Sequence, residues 1–202
     1  SSFGQRTTGS GTTIIENVKV PENYVFPHQR AFERPTTIGA ISQVIQAAVD
    51  VGIAKAALGD TIQFVRNSTR PWIDSNVEHG YEDPLLIYNL GESQVKVHAA
   101  EAILRRAGEF IDRAIADSSE SNVAQAQIAV AEAKAISEQA AIWTTNKLFE
   151  LAGTRATLEE FNLDRHWRNA RTHTLHDPSR WKYYAIGNFH LNGINPPRHP
   201  WF

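Results

Sequence analysis

Between residues 164 and 178 the chain reads Asp-Arg-His-Trp-Arg-Asn-Ala-Arg-Thr-His-Thr-Leu-His-Asp-Pro, which gathers three arginines, three histidines and a tryptophan. His173 and His176 stand three apart, a spacing that in a helix places both imidazoles on one face. Such a pair suits a metal ion, a proton-carrying group facing a ligand, or ordinary structural hydrogen bonding. Only Asp164 and Asp177 lie close enough in sequence to complete a metal site, and Asp177 is expected to cap a helix, so no metal is expected. His166, beside Trp167, reads as structural. Arg165, Arg168 and Arg171 recur every third residue and spread positive charge along one side of a turn. That pattern fits a phosphate or carboxylate partner, with pairing to Glu159, Glu160 and Asp164 as the plainer alternative. Trp167 and Trp181 read as core or interface anchors.

Two further arginines, Arg70 and Arg155, fall at expected helix exits beside turn residues. Residues of this kind are either surface charges or grips on an anionic cofactor. Gly9-Ser10-Gly11 is too short for a nucleotide phosphate loop and reads as a hairpin turn. There is no Gly-x-Ser-x-Gly nucleophile turn.

The elements that must position these groups are mainly helical. Thr36 or Thr37 can cap a first helix with Ile38, Ile41, Val44, Ile45 and Ala48 at helical spacing. Its face continues through the small residues Gly52, Ala56 and Gly59. Pro71 disfavours helix at Arg70 and ends it. Asp83-Pro84, a capping residue followed by proline, opens a second helix. Its buried stripe is Ile103, Leu104, Ala107, Phe110, Ile111, Ala114 and Ile115, with Glu101–Arg105 and Glu109–Arg113 as i,i+4 pairs on the wet side. Ser118 to Asn122 turns the chain into an alanine-rich helix over 123–151, ended by Gly153. So much of that helix is apolar that it should be covered on several sides, and a homo-oligomer is the expected source of cover. Asp177-Pro178 should start a final helix, and the proline-rich tail 193–202 should lie across a neighbouring surface. Upstream, Ile14, Ile15, Val18 and Val20 follow a glycine turn and read as a strand, with 21–35 as a linker.

The totals narrow the class. A net charge of -2 gives no basic footprint for nucleic acid, and 42% hydrophobic residues suffice for a sizeable core. Cysteine is absent, which fits a reducing, cytoplasmic setting. Methionine is absent as well, so the chain is expected to be processed or trimmed from a longer protein. The polar N-terminus does not resemble a secretory signal. The charge-free run 36–49, interrupted by Ser42, Gln43 and Gln46, is too short for a membrane span and reads as a buried helix.

Several strings together resemble the flavin-dependent monooxygenases of the acyl-CoA dehydrogenase fold, the group of dibenzothiophene monooxygenase and its sulfur-acquisition relatives. They are Trp167 to Pro178, Thr69-Arg70-Pro71-Trp72, Glu82-Asp83-Pro84, Thr7 to Thr12 and Asn17 to Pro21. The resemblance covers nearly the whole chain. It implies a mainly α architecture, the C-terminal four-helix bundle of that fold over 36–202, preceded over 1–35 by a remnant strand of a middle β-domain and a linker. It further implies a homotetramer that takes reduced FMN from a separate flavin reductase and uses O2 to oxygenate a small organic, organosulfur substrate. By motif, His176 is the active-site histidine, while Arg70, Arg155, Thr157 and, more weakly, Ser10 contact the flavin. Domains that supply further flavin and substrate contacts in this group have no counterpart here, so the chain is expected to be inactive alone. An FAD-dependent acyl-CoA dehydrogenase is the main alternative, and Arg168-Asn169-Ala170 resembles a string found there. The glutamate such enzymes use is missing, because no glutamate lies between Glu160 and the C-terminus. A non-catalytic helical assembly module is the third reading.

Overall fold

The computed structural model describes residues 2–202. Five helices organise them: α1 (Ile38–Ser68), α2 (Pro84–Ala116), α3 (Glu120–Ala152), α4 (Asp164–His173) and α5 (Ser179–Asn192). The core layers fix their directions. Ala40 and Ala47 at the start of α1 pack with Ala107, Ile111 and Ala114 at the end of α2 and with Val123, Ala126 and Val130 at the start of α3. At the other end, Ala57 and Phe64 meet Leu148 and Ala152. Helices α1 and α3 therefore run parallel and α2 runs against both. Gln139 bonds Tyr183 and Ala131 packs on Ala185, so α5 descends along α3 and completes an up-down-up-down bundle.

Local chemistry sets the ends of these helices. Asp83 accepts hydrogen bonds from Leu85 N at 2.8 Å and Leu86 N at 3.2 Å, with Pro84 in the first helical position. Ser119 accepts from Asn122 N to open α3. Gly153 closes it at φ +79°, a backbone that disfavours any side chain with a Cβ. The alanine run of α3 brings its neighbours close along its whole length, and α1, α2, α4 and α5 all pack on it. Cover for α3 thus comes from within the chain, and its apolarity carries no argument for an oligomer.

Several expectations change in the same way. No strand forms among the described residues. Ile14, Ile15, Val18 and Val20 are 57–77% exposed and the segment is broken by Asn17 at φ +53°, with no second strand alongside to pair with its N–H and C=O groups. Ile115 is likewise exposed, one step off the α2 stripe. Glu101 pairs with Lys55 of α1 at 2.5 Å in place of Arg105, and Arg113 Nε donates to the Glu109 carbonyl rather than its carboxylate. Asp177 does not cap α5, whose first turn follows Pro178 with no side-chain cap. Helix α1 as a whole, at 31 residues and with a window of mean hydropathy 1.3, is long and apolar enough to cross a membrane by length and composition, although the charge-free run 36–49 at its start is not. It contributes to three core layers and carries the buried Asp50, the role of a bundle helix.

The proline-rich tail folds back on its own bundle. Gln127 Nε2 donates to the carbonyls of Pro197 and Phe202, both at 3.1 Å, and Lys182 Nζ donates to Trp201 O. The first residues are tied down too. Gln5 N donates to Asn169 Oδ1 at 2.8 Å, Arg168 donates to Phe3 O, and Phe3 stacks on Trp167. A Cβ on Gly4 would lie 1.9 Å from Arg168 O, so only glycine allows this docking on α4.

Candidate functional site

Helix α4 crosses the bundle against the direction of α1, and its buried Ala170 lets it sit close. One face carries His166, whose Nε2 lies 2.7 Å from Asp60 Oδ2; Arg165 Nη2 reaches the same oxygen at 2.5 Å. Burial lowers the pKa of His166 despite this bond; burial raises that of Asp60, but the hydrogen bonds from His166 and Arg165 outweigh it and hold the carboxyl below its usual value. This is the structural role expected of His166. Arg168 pairs with Asp164 at 2.7 Å, and Arg171 has no carboxylate partner among the described residues.

Helix α4 stops at His173, so His173 and His176 do not share a helical face. They nonetheless line one cavity of about 710 Å³, together with Ser10, Thr8, Gln46 and Thr172. The docked N-terminal segment brings Ser10 there, and Thr8 Oγ1 donates to Ser10 Oγ at 3.3 Å. His173 Nδ1 lies 2.6 Å from Asp50 Oδ1, and His176 Nδ1 lies 3.1 Å from Asp177 Oδ1. Each ring is bound through the same nitrogen to an aspartate buried at its back.

Behind the cavity runs a buried chain of charge. Asp50 Oδ2 lies 3.2 Å from Lys134 Nζ, which reaches Glu138 Oε1 at 2.6 Å, and Asp177 Oδ2 lies 3.0 Å from Lys182 Nζ. The Glu138 and Asp177 contacts are ionic and fall outside hydrogen-bond angles. Burial lowers the pKa of Lys134, but Asp50, Glu138 and Asp177 outweigh it and hold the lysine above its ordinary value. Burial wins at Glu138 and pushes its carboxyl up to about 7, against the pull of Lys134. Burial also lowers Lys182, whereas Asp177 stays below the ordinary carboxylate value because Lys182, His176 and Lys134 overcome its own burial. Sequence reasoning missed Asp50, Lys134, Glu138 and Lys182. The available signal was charge out of place: a lone Asp50 in an apolar helix, and a Lys134–Glu138 i,i+4 pair among alanines.

Arg70 and Arg155 meet elsewhere, lining a cavity of about 550 Å³ at the far ends of α1 and α3. Its two carboxylates are already engaged, Asp83 as the α2 cap and Glu150 with Lys147 at 2.7 Å. The guanidinium of Arg155 lies over the Phe161 ring, and neither arginine has a carboxylate partner among the described residues. Thr157 lies just outside this lining, exposed, its hydroxyl donating to Thr154 O at 2.6 Å. From Val49 at the histidine cavity to Ser68 at the arginine cavity, α1 rises roughly 28 Å at about 1.5 Å per residue. Within one copy of the chain, the histidines and the arginines thus line two separate cavities, the first beside the middle of α1 and the second at the far ends of α1 and α3.

An up-down-up-down bundle crossed by a short histidine-bearing helix is the helical domain of the acyl-CoA dehydrogenase fold. Residues 44–180 match the family described as "Acyl-CoA dehydrogenase, C-terminal domain", and the chain belongs to that family. It is 35% identical over 206 residues to a dibenzothiophene monooxygenase of Mycolicibacterium goodii, covering 96% of this chain and 49% of that protein. It is 32% identical over 202 residues to a probable FMNH2-dependent monooxygenase, SfnC, of Pseudomonas putida, covering 97% of this chain and 51% of that protein. The FMN-bound crystal structure of TdsC from Paenibacillus sp. A11-2 superposes with a TM-score of 0.93 at 31% identity, over 100% of this chain and 53% of that one. The chain spans about half the length of the curated relatives it matches.

Proposed function

We propose that this bundle is the flavin-facing part of a two-component monooxygenase that uses reduced FMN and O2 to oxygenate a small organosulfur substrate. In this reading residues 1–35 end a middle β-domain and lead into the helical domain 36–202. The observation that carries it is the cavity shared by His173, His176 and Ser10, with both imidazoles braced by buried carboxylates. A ring held in this way can hold or move a proton at Nε2 while its orientation is fixed. Reduced flavin supplies the electrons and activates the oxygen; the protein orients, shields and handles protons.

The residues present fit FMN. Arg70 and Arg155 offer two guanidiniums free of carboxylates in one cavity, a donor set suited to a phosphate, and Thr157 stands at its edge. FMN is much shorter than the separation of the two cavities. The arginines serving one flavin therefore belong to a different copy of the chain from the histidines beside it, which supports a homo-oligomer, by likeness a homotetramer. Helix α1 offers a seam for it: Ile38, Ile41, Ile45 and Val49 are 38–57% exposed in line with the exposed Ala48, Gly52, Ala56 and Gly59. A cytoplasmic flavin reductase as partner follows from the use of reduced FMN.

Flavin titration of the intact protein tests the reading. Tight FMN binding with His176→Ala abolishing oxygenation, the assembly unchanged, is the expected result. Preference for FAD with acyl-CoA turnover would overturn it.

A further inference from the structure

We propose that Asp50, with Lys134 as its counter-charge, is a positioning residue that fixes the tautomer of His173 and so decides which ring nitrogen is offered to the histidine cavity.

The geometry is specific. Asp50 and Lys134 have no exposed side-chain surface, so no water competes for the carboxylate. Its two oxygens are divided between two partners: Oδ1 takes His173 Nδ1 at 2.6 Å and Oδ2 takes Lys134 Nζ at 3.2 Å. A carboxylate can only accept, so the neutral imidazole must carry its proton on Nδ1. Nε2 has no protein partner among the described residues, and His173 lines the cavity. The lysine does more than neutralise. By holding Oδ2 it leaves Oδ1 for the ring and prevents the carboxylate from turning.

The same arrangement is built twice. His176 also uses Nδ1, its aspartate is also buried, and Asp177 also faces a buried lysine, Lys182. His166 provides the contrast. It bonds through Nε2 to Asp60, whose side chain is 37% exposed, no lysine stands behind that carboxylate, and His166 does not line the cavity. Buried Asp–Lys bracing thus goes with the two histidines that face the cavity and not with the one that serves packing.

The use of this tautomer in oxygenation rests on the function proposed above, but its presence does not. The test is therefore made on the intact protein free of flavin. With ¹⁵N-labelled histidine, at a pH where the ring is neutral, His173 is assigned by the loss of its signals in His173→Gln. The wild-type ring should show a protonated Nδ1 and an unprotonated Nε2. In Asp50→Asn, Lys134 claims the amide oxygen and turns the NH2 toward the ring, so the proton should move to Nε2. In Asp50→Asn with Lys134→Met the amide oxygen is released, and the Nδ1 proton should return. Turnover should fall at least about 100-fold in Asp50→Asn through kcat, with FMN affinity and KM unchanged, and recover in part in the double variant. A wild-type His173 protonated on Nε2, or one populating both tautomers equally, overturns the proposal without any variant having to fold. The expected tautomers without oxygenase activity would leave the positioning role standing and remove the function instead.

Discussion

Lys134 Nζ lies 3.2 Å from Asp50 Oδ2 across the α1–α3 contact, and neither side chain reaches solvent. A pair so placed contributes little when intact, since desolvation offsets attraction, but leaves a stranded charge when broken. Lys134→Met alone should cost about 3–5 kcal/mol in urea unfolding. The double variant with Asp50→Asn should recover most of that loss.

Glu138 makes stability depend on pH. Burial raises its folded pKa to about 7 from 4.5, so between these values the folded protein holds a proton that the unfolded chain releases. Its contribution is full below about 4.5 and is lost as pH rises through about 7. Wild type measured against Glu138→Gln should show a difference on the order of 3 kcal/mol developing over that window. Asp177 and Asp60, held low, act in the opposite sense as pH falls, and they cancel in this comparison.

The arginine cavity predicts a shared grip. Arg70→Ala and Arg155→Ala, each in the intact protein, should weaken FMN binding about 10- to 100-fold, the worth of one charge-assisted contact. Fluorescence titration measures it, and Arg155→Lys should recover only part of the loss because a point charge replaces a planar fork.

The seam on α1 predicts assembly. Ile45, 57% exposed in the middle of the stripe, tolerates a charge in the isolated bundle but not in a helix-to-helix contact. Ile45→Glu should raise the dissociation constant of the oligomer at least about tenfold, read by sedimentation, with helical content unchanged.

Much of the architecture was legible because its signals are local. Asp83-Pro84 and Gly153 mark helix ends by capping and backbone geometry that act within a turn, and the motif from Trp167 to Pro178 located the histidines. What failed was non-local. Asp177-Pro178 repeats the Asp83-Pro84 pattern, yet Asp177 is drawn to Lys182 and His176, an ion pair outweighing a cap. The alanines of α3 showed that it must be covered but not by what. The strand read from Ile14 to Val20 needed a partner that alternation cannot supply.

Gly39 lies where the tail ends its path: a Cβ there would stand 2.0 Å from Phe202 O and 2.6 Å from His199 O. Phe202 is itself buried, and its carbonyl is held by Gln127 of α3. Phe202 thus acts as a clasp on the first turn of α1. That contact joins segments far apart in sequence, so the entropy of closing a long loop opposes it and the bonds from Gln127 and Lys182 must hold the tail in place.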